Sequence, residues 1–573
     1  MTTAPAQTRH LTRARTRPGF AAAGLDGWTI GALMAAGCVA VPIGAVLVLA
    51  AGPGSGIWGH LIDTVLARYV GTTLGLMAGV GAGTLIIGVG TAWLVTNFQF
   101  PGRGLFEWSL LLPLAIPSYV IAFVFTDFLE FAGPVQGLLR ELGGWTSPRD
   151  YWFPEIRSLG GAIAVMSLVL YPYVYLLSRA AFLEQSVGMM EVSRSLGRGP
   201  WRSFLTVAVP LARPSIVVGV SLVLMETLND FGTVDFFAVQ TLTLGIFDVW
   251  FNLNSVAGAA QIAGVILLFV MVLLAAERFS RRRQRYHGQG GALRRAVPRP
   301  LAGFAALLAT LACALPLALG FLLPVGLLSA DVMANLELVG GAAFLTSAGN
   351  SLLLAALAAI AAVLIGLQLA YGVRLSGNRA LKSLTRFASL GYAIPGAVLA
   401  VGVMIPFGLL DNWIDAQSSR LFGISTGLIL SGTGGALVFA YVVRFLALSQ
   451  GAVESGLERV TPNIDGAART LGCRPAGVLW RVHVPLLRGS MLTAAILVFV
   501  DTMKELPMTV IMRPFNFETL ATQVHQFAAS EQFAEASPSA LAIVLAGILP
   551  VIILSRAMRN TVHIDATEAE AWK

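Results

Sequence analysis

Two apolar stretches of the sequence each contain a short run of charged and amide side chains. Inserting one charged residue at the centre of a membrane helix is unfavourable by ~2.5–3.5 kcal/mol. Such runs therefore indicate function or internal pairing, and residues four apart share one helix face. The two runs are equivalent at an offset of 275 positions, pairing Glu226 with Asp501, Asn229 with Lys504, and Asp230 with Glu505.

The chemistry of these six side chains predicts a translocation pathway between two facing helices. Carboxylate oxygens are hard ligands that suit hard cations, so a metal-binding role is expected for Glu226, Asp230, Asp501 and Glu505. The alternative is a structural or gating ion-pair network in which Lys504 neutralises one or more of the acids. Both interpretations fit the same residues.

The surrounding sequence is that of an all-α polytopic membrane protein. Its 573 residues are 56% hydrophobic and only 12% charged, whereas soluble proteins average about a quarter charged. Apolar stretches reach the ~20 residues that cross a bilayer as a helix, without the alternation of barrel strands. Cys38, Cys313 and Cys473 have no metal-ligand or disulfide-like spacing.

Twelve transmembrane helices are predicted, in two parallel six-helix repeats. The first six are placed near 30–51, 70–95, 105–129, 159–178, 214–234 and 257–276. The second six are placed near 301–325, 346–371, 387–410, 427–448, 489–511 and 538–556.

Arginines orient these helices. Segments 278–299 and 373–386 are rich in Arg, whereas 235–256 and 329–345 contain neither Lys nor Arg. The positive-inside rule then places both termini in the cytoplasm and makes the net charge of +8 a property of cytoplasmic loops, not of nucleic-acid binding. The predicted organisation is a cytoplasmic arm (1–29), a first repeat (30–276), a cytoplasmic basic linker (277–300), a second repeat (301–557) and a cytoplasmic tail (558–573).

The two halves are an internal duplication. Ser195-Leu196-Gly197 recurs as Thr470-Leu471-Gly472 at the offset of 275, and Ala115-Ile116-Pro117 recurs as Ala393-Ile394-Pro395 at 278. Parallel repeats are related by a pseudo-two-fold axis along the membrane normal. A pathway between the halves is expected.

Each half also has a long cytoplasmic segment between its fourth and fifth helices. A short helix is predicted over 191–202 and again over 466–477, stopped by a glycine and followed by a proline at the next helix. The residues concerned are Glu191, Ser193, Gly197 and Pro210 in the first copy, and Asp465, Ala467, Ala468, Gly472 and Pro485 in the second.

These paired segments resemble the "EAA" loops of ABC importer permeases, in which the loop forms a coupling helix that docks on the ATPase. The first copy departs from that pattern with Val192-Ser193 in place of two alanines, and the second has Gly466 where the acid stands, with Asp465 one position earlier. The resemblance implies an ABC type I importer permease fold and an ATPase-coupling role for these residues.

The chain itself is not expected to be an enzyme. A P-loop needs Gly-Lys-Ser/Thr, and none of the lysines, Lys382, Lys504 and Lys573, follows a glycine. ATP is therefore expected on a separate cytoplasmic ABC ATPase, anticipated as a homodimer, and no cofactor is expected on this chain.

The sequence after the two polar runs is similar to the fused permeases of ferric-iron importers. The similar segments are Glu226 to Phe251, Lys504-Glu505-Leu506-Pro507, Arg513-Pro514-Phe515-Asn516-Phe517 and Leu520-Ala521. The resemblance implies a bacterial inner-membrane protein with iron as substrate and a periplasmic binding protein as partner. Import of thiamine, another small organic cation or a phosphonate remains an alternative, as does a self-contained secondary transporter or channel.

Overall fold

The polypeptide is almost entirely helical. The computed structural model describes residues 27–52, 57–185, 195, 199–282, 298–376 and 378–571. Within these ranges, twelve helical segments are long and apolar enough to cross a membrane, which confirms the predicted number. They are Gly27–Ala51, Gly59–Asn97, Ser118–Gly143, Leu159–Leu183, Phe204–Asn229, Val256–Ala276, Gly303–Ala334, Ala342–Ser376, Gly396–Phe422, Gly434–Glu458, Pro475–Lys504 and Phe533–Ile553.

The described residues of the first half form twelve α-helices, several of them joined end to end. They are α1 (Gly27–Ala51), α2 (Ile57–Leu61), α3 (Ala67–Asn97), α4 (Arg103–Ser109), α5 (Ser118–Leu129), α6 (Pro134–Gly143), α7 (Leu159–Glu184), α8 (Pro200–Ser203), α9 (Val209–Asn229), α10 (Gly232–Phe236), α11 (Leu242–Phe247) and α12 (Val256–Arg282). A 3₁₀ turn covers Leu112–Ala115, and π-helical turns cover Ile62–Leu66, Phe204–Ala208 and Asp248–Asn252.

The second half repeats this order. Its helices are α13 (Gly303–Leu317), α14 (Leu323–Ala334), α15 (Ala342–Ser376), α16 (Arg379–Ala388), α17 (Gly396–Phe422), α18 (Gly434–Glu458), α19 (Pro462–Thr470), α20 (Pro475–Val478), α21 (Val484–Lys504), α22 (Pro507–Met512), α23 (Leu520–Ala529) and α24 (Phe533–Ala571). The remaining turns are Ala318–Leu322, Leu336–Gly340, Ser389–Ala393 and Leu479–His483.

Each half is built on three packed helices. In the first half α7 packs against α3 and α9, and in the second half α18 packs against α15 and α21. Small residues allow close approach, as at Gly88, where an added Cβ would lie 2.9 Å from the carbonyl oxygen of Tyr171. Packing through small residues is usual where lipid supplies no hydrophobic drive for helices to associate.

The two halves exchange their first helices. Helix α1 packs against α12 of its own half and against α15, α16 and α17 of the second half, and the Trp28 ring meets the Tyr371 ring edge-on at 5.1 Å. Helix α13 in turn packs against α3 and α4 of the first half. A two-stranded parallel pairing of β1 (Phe98–Gln99) with β2 (Arg299–Pro300) fixes the chain where it enters α13.

The third helix of each half begins later than predicted. Segments 105–129 and 387–410 were expected to be continuous, but each is interrupted by a 3₁₀ turn that precedes Pro117 or Pro395. Proline has no N–H to donate and disfavours helix in the residue before it. Each half therefore carries a non-helical corner beside the polar runs.

Candidate functional site

The fifth helix of each half ends within its polar run. The predictions placed helices over 214–234 and 489–511, but α9 ends at Asn229 and α21 at Lys504. Asp230 (φ −66°, ψ 124°) and Glu505 (φ −70°, ψ 113°) leave the helical region. The two acids of each half therefore do not lie in one continuous helix, as predicted. Glu226 and Asp501 lie in the last turn of their helices, whereas Asp230 and Glu505 lie just beyond the helix ends, where they accept hydrogen bonds from the next short helix.

All six predicted pathway residues nevertheless line one cavity of about 150 Å³ between the halves. Both halves contribute its walls, and the side chains of Glu226 and Asp501 are partly buried there. The residues that the sequence analysis did not foresee in this cavity include Ser118, Tyr119, Tyr173, Tyr392 and Arg444. The two polar runs that are equivalent in sequence therefore also lie close together in the structure.

Asn229 and Lys504, which occupy equivalent positions, each bond to the backbone of the opposite half. The amide N–H of Gly396 donates to Asn229 Oδ1 at 2.8 Å, and Lys504 Nζ donates to the carbonyl oxygen of Leu114 at 2.8 Å. Both backbone partners lie at the corner before the third helix. These two bonds connect the halves on either side of the cavity.

Arg444 is the second cation of the cavity. Its Nη1 lies 3.3 Å from Glu505 Oε1, and both side chains are almost fully buried. The signal for Arg444 was a lone arginine within an apolar helix, but its counterpart 275 positions earlier is Val169. A search for repeated polar positions therefore passed over it.

The ion pairing in the cavity differs from the predicted network around Lys504. Within the described residues no carboxylate lies within 4.0 Å of Lys504 Nζ, and Arg444 is the residue that pairs with Glu505. In the same part of the chain no three His, Cys, Asp or Glu side chains are grouped closely enough to hold a metal ion. The four acids expected to bind metal share a cavity but do not converge on one point.

The segments that follow the two polar runs contact each other across the halves. Asp235 of α10 and His525 of α23 approach to 3.5 Å across the two halves. Burial and the nearby charge of Asp248 raise the pKa of Asp235 to about 6, and burial together with Arg513 lowers the pKa of His525 to about 4. Near pH 7 Asp235 is therefore mostly ionised beside a neutral His525.

The second predicted coupling helix is present but begins earlier than expected. Helix α19 covers Pro462–Thr470, not 466–477, because Pro462 supplies a favourable first helical residue. Gly472 follows with φ +82°, a conformation that glycine adopts without strain. Gly466, Ala467 and Leu471 are exposed, Ala468 is buried, and Pro485 is the second residue of α21.

The first coupling segment is mostly outside the described residues. Glu191, Ser193 and Gly197 belong to that undescribed part. Pro210 is the second residue of α9, the position equivalent to Pro485 in α21.

Asp465 is held inside the second half rather than presented on the surface. Arg374 Nε donates to Asp465 Oδ2 at 2.8 Å, and His483 Nε2 lies 2.5 Å from Asp465 Oδ1. Arg374 also donates to the carbonyl oxygens of Leu457 and Val460. These contacts, which we call the Asp465 clamp, join α19 to the ends of the eighth, tenth and eleventh membrane helices.

Replacing Asp465 with asparagine is expected to lower the free energy of unfolding by about 1.5–3 kcal/mol at neutral pH, the usual size of a charge-assisted hydrogen bond. Although burial raises its pKa, the bonds from Arg374 and His483 outweigh burial and hold the pKa of Asp465 below its ordinary value. The stabilisation is therefore present above the ordinary pKa and disappears as the pH falls through the lowered one. Thermal unfolding of the detergent-solubilised protein between pH 7 and pH 3 measures this.

The matched control is Asp63→Asn, because Asp63 is exposed. It should leave the unfolding temperature unchanged at every pH. Equal unfolding temperatures for Asp465→Asn and the unaltered protein at pH 7 would show that the clamp contributes no stability.

Comparison with known proteins gives matches over both halves of the chain. Over 502 residues, covering 86% of this chain and 90% of the relative, it is 26% identical to the Fe(3+)-transport system permease protein FbpB 2 of Haemophilus influenzae. The molybdenum transport system permease protein ModB of Escherichia coli is 28% identical over 202 residues, 33% of this chain and 82% of the relative. The sulfate transport system permease protein CysT of Escherichia coli is 30% identical over 208 residues, 34% of this chain and 72% of the relative.

The family described as binding-protein-dependent transport system inner membrane component matches residues 71–285 and again residues 362–562. Each match includes one polar run and one of the two segments predicted to contact the ATPase. Such a permease is a transport subunit, which works in general with an ATPase and a substrate-binding protein. The chain belongs to the binding-protein-dependent transport system inner membrane components, and it carries two copies of the family's domain.

Proposed function

We propose that this chain forms the complete membrane pathway of an ATP-driven importer for ferric iron. A periplasmic binding protein delivers the iron, and a separate cytoplasmic ATPase, as a homodimer, supplies the energy through α19 and the equivalent first segment. The observation that supports a cationic substrate is the charge of the cavity. Its lining includes four carboxylates and two cationic side chains.

The same charge disfavours the substrates named for some relatives. A sulfate dianion entering the cavity would meet an excess of carboxylates away from bulk water, where repulsion between like charges is poorly screened. The iron permease also aligns with nearly the whole chain, whereas the molybdenum and sulfate permeases each align with about a third. Both observations support iron over oxyanions.

A small organic cation such as thiamine is the second candidate. Tyr119, Tyr173 and Tyr392 all line the cavity, and aromatic faces attract organic cations. The carboxylates would serve this substrate too, so uptake must be measured to separate the two.

Uptake of radiolabelled iron by iron-starved cells tests the proposal. The cells would express the chain together with its ATPase and its binding protein. We expect energy-dependent iron uptake that excess thiamine and sulfate do not reduce, and that disappears when the ATPase is omitted. Accumulation of labelled thiamine or sulfate instead of iron would show that the substrate is not ferric iron.

The orientation in the membrane is a further prediction. Arg282 and Arg379 are placed on the cytoplasmic side, with both termini, and Asp248, Asp331 and Glu531 on the periplasmic side. Single cysteines at these positions, in a background without Cys38, Cys313 and Cys473, can be labelled in intact cells with an impermeant thiol reagent. Cysteines at 248, 331 and 531 should react and those at 282 and 379 should not. Labelling at 282 would invert the topology.

A further inference from the structure

The four acids of the cavity differ in how many donors already surround their oxygens. Asp230 accepts from the backbone N–H groups of Thr233 and Val234 at 2.9 and 3.3 Å, from the Thr233 hydroxyl at 3.0 Å and from the Ser118 hydroxyl. Glu505 accepts from the backbone N–H of Met508 at 3.2 Å and pairs with Arg444. These two acids cap the short helices α10 and α22 and are engaged by the fold.

Glu226 and Asp501 are in a different situation. They occupy equivalent positions in α9 and α21, and both line the cavity. The only donor to Glu226 among the described residues is the hydroxyl of Tyr392, at a long 3.4 Å. No described residue donates a hydrogen bond to Asp501 or lies within ion-pair distance of it.

A tyrosine of the same cavity supplies an independent observation. Tyr119 is only 7% exposed, and its hydroxyl has no hydrogen-bond partner within the described part of the chain. A buried hydroxyl without a partner is unfavourable by roughly 1–3 kcal/mol. The missing partner of this hydroxyl and the uncommitted oxygens of Glu226 and Asp501 indicate a ligand that enters between the two halves.

We propose that Glu226 and Asp501 are the carboxylates that bind the solute, and that the solute is a cation which keeps part of its own water or chelator shell. This inference rests on the proposed import function. Hard cations take six or more oxygen ligands, and two carboxylates supply fewer. The cavity of about 150 Å³ has room for water molecules beside a bound ion.

Terbium(III) alone is a suitable probe, because it is a hard trivalent cation whose emission is sensitised by nearby tyrosines such as Tyr173 and Tyr392. Titration of the purified permease in detergent should give saturable emission that falls at least tenfold in Glu226→Gln and Asp501→Asn. The conservative variants Glu226→Asp and Asp501→Glu should retain it. Emission lifetimes in H₂O and D₂O count the water molecules on the bound ion, and several are expected.

Two further variants, Asp230→Asn and Glu141→Gln, are compared with Glu226→Gln and Asp501→Asn. Asp230→Asn should lower the unfolding temperature because it weakens the cap of α10, and it should weaken terbium binding by the folded fraction less than Glu226→Gln does, because Asp230 acts on the ion through its charge across the cavity and not as a ligand. Glu141 is exposed, and its variant should alter neither property. All variants should be compared at equal folded concentration, determined from unfolding curves.

Each outcome is decisive. Wild-type terbium emission in both Glu226→Gln and Asp501→Asn, or a bound ion without water, would overturn the inference. If terbium emission follows the expected pattern but cells that express the permease take up no iron, the cation site is supported and iron is rejected as the substrate. Loss of emission in Asp230→Asn as severe as in Glu226→Gln, at equal folded concentration, would overturn the assignment of separate roles to the two pairs.

Discussion

Replacing Arg444 with methionine is expected to destabilise the permease by about 3–5 kcal/mol, because it leaves Glu505 buried without its partner. Glu505 is 6% exposed and, among the described residues, would retain only the N–H of Met508 as a donor. Since Glu505 stands where α21 passes into α22, disturbance at this point changes the wall of the cavity. We expect a large fall in both the unfolding temperature and solute uptake.

The double variant Arg444→Met with Glu505→Gln separates charge from packing. A neutral glutamine removes the uncompensated charge and can still accept from Met508, so much of the stability should return. Arg420→Met is the control, because Arg420 is exposed at the end of α17. An unfolding temperature unchanged by Arg444→Met alone would mean that Glu505 does not depend on this pair.

Replacing Gly402 with valine is expected to have the second large effect. An added Cβ at this position of α17 would overlap the backbone of Pro42 in α1, lying 2.9 Å from its carbonyl carbon. Backbone cannot move aside as a flexible side chain can, and overpacking of this kind destabilises by typically 1–3 kcal/mol. Release of α1 from the second half should lower the yield of folded protein and its unfolding temperature.

Gly408 is the matched control on the same helix. No atom lies within 4 Å of a Cβ built there, so Gly408→Val should behave much as the unaltered protein does. Size-exclusion profiles and thermal unfolding in detergent compare the two variants directly. Equal behaviour of both would contradict the close packing of α1 on α17.

Much of the fold could be predicted because membrane helices are constrained by length and apolarity. The repeat at an offset of 275 residues also identified six of the residues that line the cavity, since charges in apolar helices are rare. The helix ends at Asn229 and Lys504 could not be predicted in this way. They depend on Asp230 and Glu505 capping the next short helices, and a periodic pattern does not distinguish a capping acid from one inside a helix.

Two other features were beyond the repeat argument for different physical reasons. The residue equivalent to Arg444 in the first half is the apolar Val169. Comparison of the two halves therefore does not indicate a cation at position 444. The exchange of first helices is not visible in α1, because its residues are apolar on nearly every side. In lipid such a helix carries no hydrophobic signal that identifies its partner.

The exchanged position of α1 has a consequence for how the protein is made. Helix α1 is synthesised early, but the helix α17 against which it packs follows much later in the chain. At about 5–20 residues per second, the roughly 345 residues between them take on the order of 20–70 s to translate. During that interval the newly inserted α1 can pack against α12 of its own half but lacks its neighbours in the second half, and α13 inserts before most of its own half exists. Biogenesis of this permease is therefore completed only after translation of the second half, so a ribosome that stalls after the first repeat leaves α1 without the surface formed by α15, α16 and α17.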